Sequence, residues 1–300
     1  MIRVKNLDFS YRKGEKIIDN LSFNVPENSI FGFLGANGSG KTTAIRLLLN
    51  LCKPSTGEVL INNKKISSNY LELYKNIGTL IESPTFYGHL TGRENLKVLA
   101  NYYEVDSYRI DKVLDLVGIL YAKDKKTKDY SLGMKQRLGI ASSILHNPKI
   151  LILDEPLNGL DPKGISEIRN LFLKFQQEDK KTILISSHLL NEIENTCSDV
   201  CIIDKGKKLF TGKIDVLKKQ LSKGVSYRID CDKPQKAKSI LLNQFDMCDI
   251  MTKEKGLILN IENKEIVPLC IKALVDADIQ LFEISKIESN LEDLYLTLTK

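Results

Sequence analysis

The 300-residue chain has no run of about 18 uncharged apolar residues, so no segment is suited to span a bilayer. Its N-terminal stretch, MIRVKNLDFSYRKG, lacks the apolar centre and small-residue cleavage site of a secretory leader. Together these absences predict a protein that stays in the cytosol. Cysteines are few and scattered, at positions 52, 197, 201, 231, 248 and 270. Cys197 and Cys201 have the spacing of one helical turn, but no second Cys or His pair stands at zinc-site spacing. Buried free thiols are therefore expected. Internal repeats and low-complexity tracts are absent. No Lys/Arg block is long enough to turn the net charge of +6 into a nucleic-acid site; KDKKTK at 123–128 is the densest, and it reads as solvated surface.

Hydrophobic residues at 42% and charged residues at 27% are the balance of a folded chain rather than a disordered one. The length allows one large domain, or one large and one small. Ile2–Phe9 and Ile17–Val25 alternate like strands, with RKGEK as the turn between them. Ser29–Leu34, Ile150–Leu153 and Thr182–Ser186 are short apolar runs of the buried-strand kind. Thr42–Cys52, Tyr108–Val117 and Leu132–Leu145 carry apolar residues at helical spacing, and Thr91–Glu94 reads as a capping box opening a further helix. Strand and helix alternate, which predicts an α/β fold with a mainly parallel sheet and crossover helices. From about Lys223 the order becomes β-α-β-β-α-β, followed by a terminal helix over Leu291–Leu298. The expected division is residues 1–220 and a small α+β domain over 221–300.

GANGSGKT at 35–42 fits G-x-x-x-x-G-K-[ST], after an apolar strand and before a helix. Gly35, Ala36, Asn37, Gly38, Ser39 and Gly40 form the turn, and its glycines let the backbone approach oxygen atoms closely. The amides from Gly38 to Thr43 are expected to converge at the positive end of the helix dipole, as a phosphate site requires. Lys41 would reach the β- and γ-phosphates and Thr42 would offer its hydroxyl to Mg²⁺. ILILDEP at 150–156 sets two acids at the carboxyl edge of an apolar strand, where α/β sheets bind ligands. Asp154 is the candidate Mg²⁺ ligand and Glu155 the candidate group that orients or deprotonates the attacking water. His188, in ILISSHLL, ends another such strand and is a candidate γ-phosphate contact. His89 and His146 lack that setting and read as surface or packing residues.

With these pieces in order, residues 1–215 resemble an ABC ATPase: a phosphate-loop NTPase with a mainly parallel sheet, an antiparallel β subdomain and a helical subdomain at about 84–148. The family's signature, usually Leu-Ser-Gly-Gly-Gln, corresponds here to YSLGMKQRLGIA at 130–141. Ser131 and Gly133 match, whereas Leu132 replaces the first Gly and Met134 the Gln. By resemblance, this segment faces the γ-phosphate held by another subunit, so ATP is sandwiched between two chains. The resemblance also makes Tyr11 the adenine-stacking aromatic, with strand core as the alternative, and Asp161 of LNGLD the residue that reports across the dimer. Glu82, in TLIESPTF, stands where the family has Gln; a charged carboxylate there can still bind Mg²⁺ or water.

The resemblance implies ATP and Mg²⁺ as cofactors, a homodimer of ATPase subunits and a separate transmembrane permease, with the chain peripheral on the inner membrane face. IESP near 82, the altered signature and the C-terminal extension resemble the bacitracin-resistance and lantibiotic-immunity branch, which implies removal of antimicrobial peptides. Two alternatives stay open: a soluble ATPase of the same family acting on nucleic acid or ribosomes, and a nucleotide-dependent regulator. The first usually carries two phosphate loops, coiled-coil insertions or zinc clusters, none of which this sequence has, so no nucleic-acid partner is expected.

Overall fold

Strand β1 (Ile2–Phe9) buries one face and pairs antiparallel with β2 (Ile18–Val25). Strand β3 (Ile30–Leu34) is buried along its whole length and leads into α1 (Lys41–Leu48). The chain then returns through β4 (Thr56–Ile61) and β5 (Lys64–Lys65), giving an antiparallel sheet in the order β2-β1-β4-β5. The computed structural model describes residues 1–12, 14–66, 73–82, 84–221, 225–245, 250–253, 256–261, 265–287 and 291–298. These form two compact units, Met1–Ile214 and Asp215–Thr297.

The second sheet of the first unit positions the site. β6 (Ile77–Leu80) leads to three helices: α2 (Gly92–Tyr103), α3 (Tyr108–Leu116) and α4 (Leu132–Ile144). β7 (Ile150–Asp154), α5 (Pro162–Gln177), β8 (Thr182–Ser187), α6 (Leu190–Thr196), β9 (Asp199–Asp204) and β10 (Lys207–Lys213) follow. The sheet order is β10-β9-β3-β8-β7-β6, parallel from β9 to β6, with β10 antiparallel at one edge. β3, β7 and β8 have no exposed residue, which explains their unbroken apolar runs: crossover helices cover both faces of such a sheet. Phe23 of β2 stacks on Phe31 of β3 at 5.8 Å and lies 5.2 Å from Phe33, so the two sheets share one core.

Local chemistry sets the helix starts. Thr91 and Glu94 form the reciprocal capping box of α2, and buried Asn95 holds Tyr87 through its amide N–H and carbonyl. That ties the segment after Glu82 to the helical layer. Cys197 follows the end of α6 while Cys201 lies inside β9, so their four-residue spacing spans a helix end rather than one helical turn. Both thiols are buried, and burial pushes Cys201 up to about 12. His146 is a packing residue, half-buried and stacked on Tyr103 at 4.0 Å.

The second unit contains most of α7 (Ile214–Leu221), so the division falls a few residues before position 220. β11 (Val225–Cys231), α8 (Pro234–Gln244), β12 (Ile250–Lys253), β13 (Gly256–Ile261), α9 (Ile266–Asp276) and β14 (Leu281–Ile287) follow, and α10 (Leu291–Leu298) closes the chain. The sheet order β12-β13-β11-β14, antiparallel throughout, is that of a ferredoxin-like domain. Ile229, Leu257 and Leu259 from the sheet pack with Leu241 of α8 and Leu274 of α9 in a core of their own.

Candidate active site

The carboxyl ends of β3, β8, β7 and β6 lie side by side. Leu34 is in register with Ser187, Ser186 with Asp154, and Leu153 with Leu80. The loop after β3, the acids at the end of β7, His188 after β8 and Glu82 after β6 therefore converge on one sheet edge, where ligands bind in such folds.

The loop at 35–40 is built for close approach. Gly40 caps α1 at φ 106 and Gly38 sits at φ 80, conformations that residues with a Cβ rarely adopt. A Cβ on Gly35 would lie 2.3 Å from Ser39 Oγ. Ser39 Oγ is buried and has no hydrogen-bond partner, which fits an oxygen-rich ligand seated in the loop. The Ser39 amide donates to Ala36 O at 3.1 Å, so this one N–H of the expected amide cradle is engaged inside the loop. Lys41 is only 6% exposed; its Nζ donates to Gly35 O at 2.8 Å and to Ala36 O at 3.2 Å.

Two acids meet this loop differently. Thr42 Oγ1 donates to Asp154 Oδ2 at 2.7 Å, and Ser186 Oγ donates to Asp154 Oδ1. Glu155 follows in the left-handed region, at φ 48, a conformation that costs a non-glycine residue energy and clusters at functional sites. Its amide donates to Ser186 Oγ at 2.9 Å, and its carbonyl accepts from Gln136 Nε2 at 3.0 Å. The carboxylate is held at both oxygens: Oε1 lies 3.4 Å from Lys41 Nζ and Oε2 lies 2.9 Å from His188 Nδ1. Glu155 thus sits between a buried ammonium and an imidazole. Hard oxygen donors at Thr42 and Asp154 suit Mg²⁺. Among the described residues no cluster of three or more His, Cys, Asp or Glu could hold a metal unaided, so such an ion would need ligands from phosphate as well.

Tyr11 lies just beyond β1 and is 54% exposed, so it is not strand core. Phe9 meets its ring edge-on at 4.7 Å, and Tyr11 Oη lies 3.5 Å from Thr43 Oγ1. Glu82 is exposed and pairs with Arg46 at 2.5 Å. The residues expected to act across a dimer stand apart from these. Ser131 caps α4 by accepting from Met134 N at 3.2 Å, and Asp161 caps α5 by accepting from Gly164 N at 3.1 Å. Ser131, Gly133 and Asp161 line a common cavity of about 530 Å³, whose lining includes neither the phosphate loop nor Asp154 and Glu155.

Residues 18–158 match the family model described as ABC transporter. The chain is 40% identical to the bacitracin transport ATP-binding protein BcrA of Bacillus licheniformis, over 98% of this chain and 96% of the relative. The chain belongs to the ABC transporter family. It is an ATP-binding subunit with ATPase activity. It is also 38% identical to the lantibiotic transport ATP-binding protein SrtF of Streptococcus pyogenes, over 72% of this chain and 92% of that one. A dimeric, post-hydrolysis ATP-binding cassette, MJ0796 bound to ADP and Pi, superposes with a TM-score of 0.66 at 26% identity, covering 71% of this chain and 99% of that one. ATP-binding subunits of this family work as dimers with transmembrane permeases. Among the described residues of this chain no helix is long and apolar enough to cross a membrane.

Sequence reasoning missed three partners of the site: Arg46, Gln136 and Ser186. Gln136 is buried, a placement unusual enough for Gln that only the fold exposes its purpose. Ser186 is visible in ILISSH only once β8 is known to lie beside β7.

Proposed function

We propose that two copies of this chain hydrolyse ATP·Mg²⁺ at sites each completes for the other, and so drive a separate membrane permease. One observation carries this reading: Glu155 is seated between Lys41 and His188, directly after an Asp154 bonded to Thr42.

In this reading the loop from Gly35 to Gly40, with Asn37 at its tip, wraps the phosphates, and the amides of Thr42 and Thr43 join it at the helix start. The buried Lys41 leaves its loop carbonyls for the β- and γ-oxygens. Tyr11 offers its exposed ring to adenine. Thr42 and Asp154 are the residues that would hold Mg²⁺, and the ion would supply positive charge to offset that of the phosphates. Glu155 orients a water in line with the γ-phosphorus and accepts its proton, and Lys41 counters charge on the equatorial oxygens. His188 Nδ1 fixes the Glu155 carboxylate, leaving its other ring nitrogen for the γ-phosphate. Glu82, now paired with Arg46, would be a further carboxylate available to the metal. Ser131 and Gly133 of the second copy close over the γ-phosphate, with Asp161 beside the joint. The separation of the Ser131 cavity from the phosphate loop within one protomer supports this division of labour.

Exposed aromatic side chains in the helical region, at Tyr87, Tyr102, Tyr108 and Tyr121, support a protein partner there, the permease of the family. Such an arrangement sets the chain peripherally on the inner membrane face. Relatives named for bacitracin and lantibiotic transport support antimicrobial peptides as the cargo class. The enzymatic reading is tested by phosphate release: Lys41→Ala and Glu155→Gln should each abolish it, and undiminished turnover in both contradicts the assignment. The transport reading is tested by recovering the chain from native membranes. One membrane protein should accompany it, and its producing cells should lose bacitracin or lantibiotic tolerance when the gene is deleted. Unchanged tolerance contradicts the cargo class.

A further inference from the structure

Arg46 lies on α1 four residues after Thr42, about 6 Å further along the helix axis. Both ends of its guanidinium are engaged. Nη2 donates to Glu82 Oε1 at 2.5 Å, and Nη1 donates to Tyr11 Oη at 3.2 Å. One planar group therefore joins the exposed aromatic beyond β1 to the acid beyond β6. Neither partner is fixed by burial, since Tyr11 is 54% exposed and the Glu82 side chain 55%. Glu82 also sits at φ 56, a conformation that persists in a residue with a Cβ only when its surroundings hold it there. Thr43 Oγ1, 3.5 Å from Tyr11 Oη, ties the same aromatic back to the phosphate-loop helix.

We propose that Arg46 is a positioning residue that couples Tyr11 to Glu82, so that a nucleobase seated on Tyr11 changes the hold on the Glu82 carboxylate, and the reverse. This rests on reading Tyr11 and the phosphate loop as the nucleotide site. Coupling of this kind is reciprocal, because it is a free energy shared by the two contacts. It also needs the forked, planar donor of arginine; lysine, a point charge on a flexible stem, can neutralise Glu82 without bridging to the Tyr11 hydroxyl. Glu82 is the acid that replaces the family's usual Gln, and a carboxylate is what gives the guanidinium an ionic partner.

The test is a double-mutant cycle on the full chain, read as the dissociation constant of fluorescent mant-ATP without divalent metal. Tyr11→Phe keeps the ring and removes the hydroxyl, and Glu82→Ala removes the carboxylate. With Arg46 present, the double variant should depart from the product of the single effects by about threefold. The same cycle built on Arg46→Met, and again on Arg46→Lys, should be multiplicative. The lysine background keeps the charge and the helix, and so serves where the methionine variant is poorly folded. Multiplicative effects in the Arg46 background, or an undiminished departure in both replacements, overturn the proposal. A chain that binds no mant-ATP at all overturns the nucleotide-site reading with it, whereas normal binding with multiplicative effects overturns the coupling alone.

Discussion

Thr42 Oγ1 and Asp154 Oδ2 lie 2.7 Å apart, joining the first turn of α1 to the last residue of β7. This contact links the phosphate loop to the acidic strand and marks the corner assigned to Mg²⁺. Thr42→Ala removes the hydroxyl and leaves Asp154 with Ser186. A hydrogen bond to a charged group contributes about 1.5–3 kcal/mol, so ATP affinity with Mg²⁺ should fall about tenfold or more. Affinity in EDTA should stay within about twofold. Parallel titrations with and without the metal check this; an equal loss in both would remove Thr42 from the metal corner.

Glu155→Gln keeps the size of the side chain and removes the base. Loss of a positioned base costs about 10²–10⁴-fold in rate, so phosphate release should drop by that factor while ATP still binds. His188→Ala leaves the Glu155 carboxylate beside Lys41. Its turnover should fall between those of the unaltered chain and Glu155→Gln. Single-turnover assays at saturating ATP check both; full activity in His188→Ala would reduce that residue to a structural role.

Gly32, in the middle of β3, has no room for a methyl group. A Cβ there would lie 2.6 Å from Ile193 Cγ2 and 3.3 Å from Cys197 Sγ. Because Ile193 is fully packed, Gly32→Ala should destabilise the first unit by about 1–3 kcal/mol. Calorimetry should show a melting temperature several degrees lower, and an unchanged transition would mean that α6 moves freely.

Asp8 is held at about 2, well below its ordinary 3.8, first by the Thr56 hydroxyl and then by the Asn20 amide and Lys16. A depressed carboxylate adds stability that is complete above its unfolded pKa and is lost as pH falls through the folded one. The junction of β1, β2 and β4 should therefore weaken between about pH 4 and 2. Carboxyl NMR shifts of Asp8 check this; a midpoint near 4 would contradict the clamp. Asp8→Asn should flatten that part of the acid-stability profile.

Much of the site was legible because its parts are contiguous in sequence. GANGSGKT, the paired acids of ILILDEP and the Thr91–Glu94 box each carry their geometry in a short stretch. β3, β7 and β8 were legible because a strand buried on both faces must be apolar throughout. What escaped depends on which chain ends lie side by side. Arg46 and Glu82 are 36 positions apart, and nothing local marks them as partners. Gln136 looks like a solvent residue in a helical pattern until α4 is packed against the Glu155 turn. The spacing of Cys197 and Cys201 suggested a helical turn because spacing cannot show that the helix ends at Thr196.

The central claim is that the Ser131 segment of one copy completes the ATP site of another. Light scattering on Glu155→Gln with saturating ATP tests it most directly. The account predicts a mass twice that of the protomer with ATP, returning to a single protomer with ADP or with the added change Ser131→Arg. A mass that stays at one protomer with ATP bound, at concentrations where the unaltered chain turns over fully, would contradict it.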